Sequence, residues 1–129
     1  MTNKEKFSFG KRLKSFGYAF NGLKVMFMEE HNSRIHLVIT GVVVIFILLF
    51  RFTLTEYGLL AIAIGMVFAA ELFNSAIENI ADHISPEKND RIKKVKDLSA
   101  AAVLVCALTS VVIGCVVLLP KVIGYIKLL

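Results

Sequence analysis

YGLLAIAIGMVFAAELFNSAIENIADHIS occupies residues 57–85. It is free of charge as far as Ala70, then carries Glu71, Glu78 and Asp82 before Pro86. Whether a helix starting near Tyr57 is still inside a bilayer at Glu71 decides how the whole chain is read. A helix rises ~1.5 Å per residue, so Glu71 falls ~21 Å beyond Tyr57. A hydrocarbon core is ~30 Å thick. Glu71 therefore belongs in the inner part of the membrane, and Glu78 and Asp82 continue toward one surface.

Two other stretches fit the same solvent. Residues 33–52 contain the charge-free run Leu37 to Phe50, and residues 98–119 contain no charge at all. The chain has 129 residues, 57% of them hydrophobic, with a mean hydropathy of +0.72. That is too apolar for an ordinary soluble domain and short enough for one domain. The expected fold is an all-α membrane protein, a single membrane-embedded domain over residues 1–129. Its spans are 33–52, 57–85 and 98–119, and an amphipathic surface helix over 11–30 precedes them.

That surface helix rests on Leu13, Phe16, Phe20, Leu23 and Phe27, which recur at helical spacing with Lys11, Lys14 and Lys24 off the stripe. Such a helix lies in the interface, its apolar face at the acyl boundary. His31-Asn32-Ser33 offers a turn and cap before the first span. Thr53-Leu54-Thr55-Glu56 has the form of a capping box and opens the second. Pro86 should end it near Ser85, because a residue before proline is pushed out of the helical region. Cys106 and Cys115 lie inside the third span without CxxC spacing and read as free thiols.

Charge placement orients the chain. Seven Lys/Arg lie before the first span or in its opening turn (Lys4, Lys6, Lys11, Arg12, Lys14, Lys24, Arg34) and five follow the second (Lys88, Arg91, Lys93, Lys94, Lys96). The other connection has Arg51 beside Glu56. The positive-inside rule puts the amino terminus and the second connection in the cytoplasm and the carboxyl terminus outside. With charge distributed in this way, the net +5 points to anionic headgroups rather than nucleic acid. The basic first 34 residues hold no long apolar run and are not read as a cleaved signal peptide.

The acids share one face. At ~100° per residue, Asn74, Glu78 and Asp82 lie near −60°, −20° and +20° from Glu71. A charge at the centre of a span costs ~2.5–3.5 kcal/mol, and less near the interface, so the default reading is functional. Early exit of the helix from the membrane would explain Glu78 and Asp82, but leaves too short a span before Glu71. Carboxylates bind hard cations, and Mg²⁺ takes one or two of them together with phosphate oxygens. A partly desolvated glutamate serves as a general base. The cationic run Arg91-Ile92-Lys93-Lys94-Val95-Lys96-Asp97 follows at the same face. Metal-binding acids, phosphate-binding cations and a base at the lipid boundary suggest phosphoryl transfer onto a lipid. No P-loop accompanies Gly10-Lys11. An ion-coupled transporter and a structural subunit with paired charges remain competing readings.

Glu71-Leu72-Phe73-Asn74-Ser75-Ala76-Ile77-Glu78, then Asp82, Lys96-Asp97 and Ala100-Ala101-Ala102-Val103-Leu104, resembles the bacterial integral-membrane diacylglycerol kinase family. The family signature E-x-x-N-(S/T)-A-I-E-x-x-x-D is matched without a gap, and the likeness extends to Gly17-Tyr18, Gly22-Leu23 and Glu30. The resemblance implies an ATP-dependent lipid kinase of the bacterial plasma membrane. It implies a homotrimer of three-span subunits, with sites formed between subunits at the cytoplasmic interface. Glu71 is then the base that activates the lipid hydroxyl, and Glu30 and Glu78 the ligands of the Mg²⁺ that accompanies ATP. Asn74 and Asp82 are supporting residues. Lys96, with Asp97 beside it, meets the nucleotide phosphates. Lys11, Lys14, Tyr18 and Glu87 match nucleotide-contacting or activity-linked positions, Lys11 standing where arginine is expected. His31 and His36 are read as headgroup residues rather than metal ligands. Ile113-Gly114-Cys115, Leu119-Pro120-Lys121 and Thr55-Glu56-Tyr57 are similar to the Gram-positive group, which implies undecaprenol as acceptor, with diacylglycerol the alternative.

Overall fold

The computed structural model describes residues 8–85 and 89–128. Four helices make up the described chain: α1 (Phe9–Glu29), α2 (His31–Leu49), α3 (Leu54–Ile84) and α4 (Asp90–Ile126). The last three are long and apolar enough to cross a membrane. At ~1.5 Å per residue, α3 and α4 reach ~46 and ~55 Å, well beyond the ~30 Å hydrocarbon core. Each therefore carries turns outside it.

Local chemistry sets the boundaries. Thr53 Oγ1 accepts from the Glu56 N–H at 3.3 Å, and the Thr53 N–H donates to Glu56 Oε2 at 2.7 Å, the reciprocal box the sequence suggests. α3 stops at Ile84, and Ser85 is extended, as a residue before proline should be. Pro86 itself lies outside the described residues.

α4 departs from the expected span. It starts at Asp90 rather than Leu98, so Arg91 to Asp97 are helical rather than loop. Asn89 caps it by accepting from the Arg91 N–H at 2.9 Å, and Asp90 complements the helix dipole. Charged side chains outside the bilayer do not prevent the helix from continuing. At its other end α4 runs through Pro120 to Ile126. Proline is tolerated in such helices because neighbouring groups can satisfy the backbone carbonyl it leaves without a partner.

The corner between α1 and α2 is one extended residue, Glu30. Its N–H donates to Met26 O at 2.9 Å. Arg34 Nε donates to Phe27 O at 2.9 Å and Arg34 Nη2 to Met28 O, satisfying carbonyls that the end of α1 would leave bare. The expected cap over His31–Ser33 is thus corrected. With Arg34 holding the corner, His31 already opens α2 and Ser33 sits inside it, buried.

α3 is the hub, packing most extensively on α4 and also against α1 and α2. Its buried residues Leu60, Ala63, Val67, Glu71, Asn74, Ser75 and Ala81 recur at helical spacing, so one seam changes from apolar to polar without changing face. Ser99, Val103 and Val117 are the buried residues of α4. Apolar burial drives little association in lipid, so small residues and interhelical hydrogen bonds carry more of it. Ser110 Oγ supplies one such bond, reaching Ala63 O at 2.9 Å. Val38, Leu48, Val105, Val112 and Val116 face outward, as lipid-facing positions do. On α1, Leu13, Phe16 and Phe20 of the apolar stripe are uncovered by the chain itself, while Phe27 meets Phe68 edge-on at 5.6 Å.

Candidate active site

Glu71 is 1% exposed, at the point where the α3 seam turns polar. α2 approaches it from the side with two residues on one face. Ser33 Oγ donates to Glu71 Oε2 at 3.5 Å, a long bond. His36 Nε2 lies 3.3 Å from Oε1, yet Oε1 receives no hydrogen bond. The distance is that of an ion pair and the orientation is not that of a hydrogen bond. The carboxylates of Glu30 and Glu78 also act on Glu71, as like charges. A carboxylate this buried and this poorly satisfied is energetically costly, which is a mark of functional sites.

Farther along the seam Asn74, Glu78 and Asp82 have partners, while the buried Ser75 Oγ has none among the described residues. Ser99 Oγ, on α4, donates to Asn74 Oδ1 at 2.7 Å. That engages the carbonyl of the Asn74 amide and directs its Nδ2 to Glu78 Oε1 at 3.2 Å. Lys96 Nζ meets Asp82 Oδ1 at 2.8 Å. Beyond this zipper opens a polar cleft of about 720 Å³ whose walls include Glu78, Asp82, Asn89, Lys93, Lys96 and Asp97. On the other side of Glu71 an apolar groove of about 270 Å³ runs between α2, α3 and α4, past His36, Thr40, Val67, Phe68 and Leu118. Along α3, Glu71 stands one turn from the groove wall and two turns from Glu78. Glu71 lines neither cavity, but along α3 it stands between the apolar groove and the polar cleft.

The sequence profile of the prokaryotic diacylglycerol kinases matches residues 17–118. The chain belongs to this family. It is a lipid kinase, an ATP-using, multi-pass membrane enzyme. Among its relatives is the undecaprenol kinase of Bacillus subtilis, 34% identical over 84% of this chain and 88% of the relative. The diacylglycerol kinase of Synechocystis is 36% identical over 84% of this chain, which spans 62% of that longer protein. The diacylglycerol kinase of Escherichia coli K12 is 28% identical over 85% of this chain and 90% of its own length.

The fold brings some of the expected residues of this lipid kinase together and leaves others apart. Asn74 bonds Glu78 and Lys96 pairs with Asp82, and Glu78, Asp82, Lys96 and Asp97 share the cleft wall, while Glu71, on the same face of α3, meets Ser33 and His36 of α2. Glu30 stands apart from them at the α1–α2 corner and lines neither cavity. Lys11, Lys14 and Tyr18 lie exposed on α1, away from the cleft lining, with Tyr18 75% exposed. Glu87 lies outside the described residues. Among the described residues no three His, Cys, Asp or Glu side chains are grouped to hold a metal. Reading His36 as a headgroup residue is corrected, since its ring faces Glu71. Ser33 and Ser99 were also missed. Their signal was present: Ser33 and His36 stand three apart on α2, and Ser99 stands one turn after Lys96.

Proposed function

We propose that this lipid kinase transfers the γ-phosphate of ATP to undecaprenol, forming undecaprenyl phosphate, with Glu71 as general base. What carries the reading is the placement of buried Glu71 between an apolar groove and a polar cleft. Undecaprenol is a long hydrocarbon with one hydroxyl, so its tail suits the groove and its hydroxyl the carboxylate. Glu71 takes the hydroxyl proton as the lipid oxygen forms its bond to the γ-phosphorus. The bond from that phosphorus to the bridging oxygen breaks, ADP leaves, and Glu71 later returns its proton to water. Similarity to the undecaprenol kinase of Bacillus subtilis supports the choice of acceptor.

Mg²⁺ enters with the nucleotide in this reading. It takes one or two carboxylates alongside phosphate oxygens, so Glu30 and Glu78 suffice as protein ligands. Asn74 keeps Glu78 oriented through its 3.2 Å bond. The ion would neutralise charge on the transferring phosphoryl group. Lys96, released from Asp82, meets the phosphates, and Asp97 stands beside it. Lys11, Lys14, Tyr18 and Glu87 complete the nucleotide contacts. Since Lys11, Lys14 and Tyr18 do not line the cleft of their own chain, we place them in a site shared within a homotrimer. α1 then lies in the interface, its exposed Leu13, Phe16 and Phe20 in lipid or against a neighbouring subunit. The positive-inside count supports a cytoplasmic amino terminus and an external carboxyl terminus.

Purified protein in lipid, given Mg-ATP with undecaprenol and diacylglycerol side by side, tests the acceptor. Preferential labelling of undecaprenol is expected. Preference for diacylglycerol would replace it with phosphatidic acid synthesis. Glu78→Gln should raise the Mg²⁺ concentration needed for half-maximal transfer, and an unchanged titration would remove Glu78 from the metal.

A further inference from the structure

We propose that His36 is a positioning residue for Glu71, donating from Nε2 to Oε1 and fixing which carboxylate lone pair faces the lipid hydroxyl. The proposal rests on Glu71 being the general base.

Four observations carry it. Glu71 Oε1 is buried and has no hydrogen bond. An unsatisfied buried acceptor is energetically costly, so a nearby donor is drawn to it. His36 Nε2 is that donor, 3.3 Å away and needing only a change of orientation. It can donate from either the neutral Nε2–H tautomer or the imidazolium. Ser33, one turn earlier on the same face of α2, already reaches the other oxygen at 3.5 Å. The two α2 residues therefore address the two carboxylate oxygens separately. The His36 ring is 20% exposed and lines the end of the apolar groove nearest Glu71. An acceptor hydroxyl arriving from the groove would pass this ring on its way to the carboxylate.

Held at both oxygens, the carboxylate cannot rotate freely, and its remaining lone pairs keep fixed directions. Deleting the donor should leave binding of Mg-ATP intact and slow the chemical step. A residue that merely filled space beside the groove would behave differently: its loss would weaken lipid binding, and side chains of similar bulk would replace it equally well.

The test compares His36→Gln, which retains a nitrogen donor at about the same reach, with His36→Leu, which retains bulk and loses the donor. Each is made alone and in the Glu71→Gln background. His36→Leu should lower kcat about 10- to 100-fold, with KM for ATP unchanged. His36→Gln should recover most of that loss. In the Glu71→Gln background, His36→Leu should cause little further loss, because residues acting as a unit are not additive. Size-exclusion and thermal unfolding profiles confirm that each variant is folded. If Leu disturbs the fold, the Gln variant is read alone, and a kcat loss as large as that of Glu71→Gln overturns the proposal. It is equally overturned if folded Gln and Leu variants lose activity alike, if the effect lies only in KM for the lipid, or if the two sites contribute independent losses. Full activity in Glu71→Gln by itself would instead overturn the base assignment, and that single variant reveals it before His36 is changed.

Discussion

The start and the middle of α3 treat a glutamate in opposite ways. At the Leu54 end, Glu56 is satisfied on every side. It accepts from the Thr53 N–H at 2.7 Å and pairs with Lys121 at 3.0 Å. Lys121 in turn sits over the Phe52 ring at 5.3 Å. Farther along, Glu71 is buried with one long hydrogen bond, a bare oxygen and like charges nearby. The start of the helix is tied to the end of α4. The middle holds a carboxyl group in a place where stability alone would not put one. The contrast separates what keeps this lipid kinase folded from what equips it to work, because strained, unsatisfied polar groups persist where function requires them.

The comparison breaks most decisively at Glu71. Glu71→Gln should reduce kcat by about 10²- to 10⁴-fold, the usual contribution of a general base, measured by single-turnover phosphoryl transfer. Lys96→Met comes next. With the cleft cation gone, KM for ATP should rise about tenfold in steady-state kinetics, the effect of one charge-assisted phosphate contact. Stability should barely change, because its partner Asp82 is 65% exposed and surface pairs contribute little. Ser99→Ala sharpens the account at lower amplitude. Freed from Ser99, the Asn74 amide can turn away from Glu78, and the Mg²⁺ titration should shift by a few-fold, in the same direction as Glu78→Gln. The smallest effect belongs to the start of the helix. Thr53→Ala should lower stability by about 1 kcal/mol in thermal or denaturant unfolding and leave activity per folded protein unchanged.

The same contrast explains what could be read in advance. The Thr53–Glu56 box was legible because its parts are three residues apart and every interaction is local. The polar face of α3 was legible for the same reason, since 71, 74, 78 and 82 fall on one stripe of one helix. Three apolar stretches announced the membrane. Partners from other helices were not legible. Periodicity shows that Ser33 and His36 share a face of α2, but not that this face meets Glu71. It places Ser99 a turn from Lys96, but not beside Asn74. The extension of α4 ahead of the expected span was not legible from hydropathy, because Arg91 to Asp97 carry charges. Asn89-Asp90, a ready-made cap and first turn, stood just before them. The corner at Glu30 was missed because a side chain from the following helix, Arg34, does the work assigned to a three-residue turn.

The most direct test sets the start and the middle of α3 against each other on the same preparations. Glu71→Gln and Thr53→Ala are each assayed for phosphoryl transfer and for thermal unfolding. The account predicts a crossing pattern: Glu71→Gln loses transfer while unfolding no earlier than the parent, and Thr53→Ala keeps transfer while unfolding earlier. A Glu71→Gln variant that retains transfer, or that loses it only because it unfolds first, would contradict the claim that this carboxylate is held for chemistry rather than for the fold.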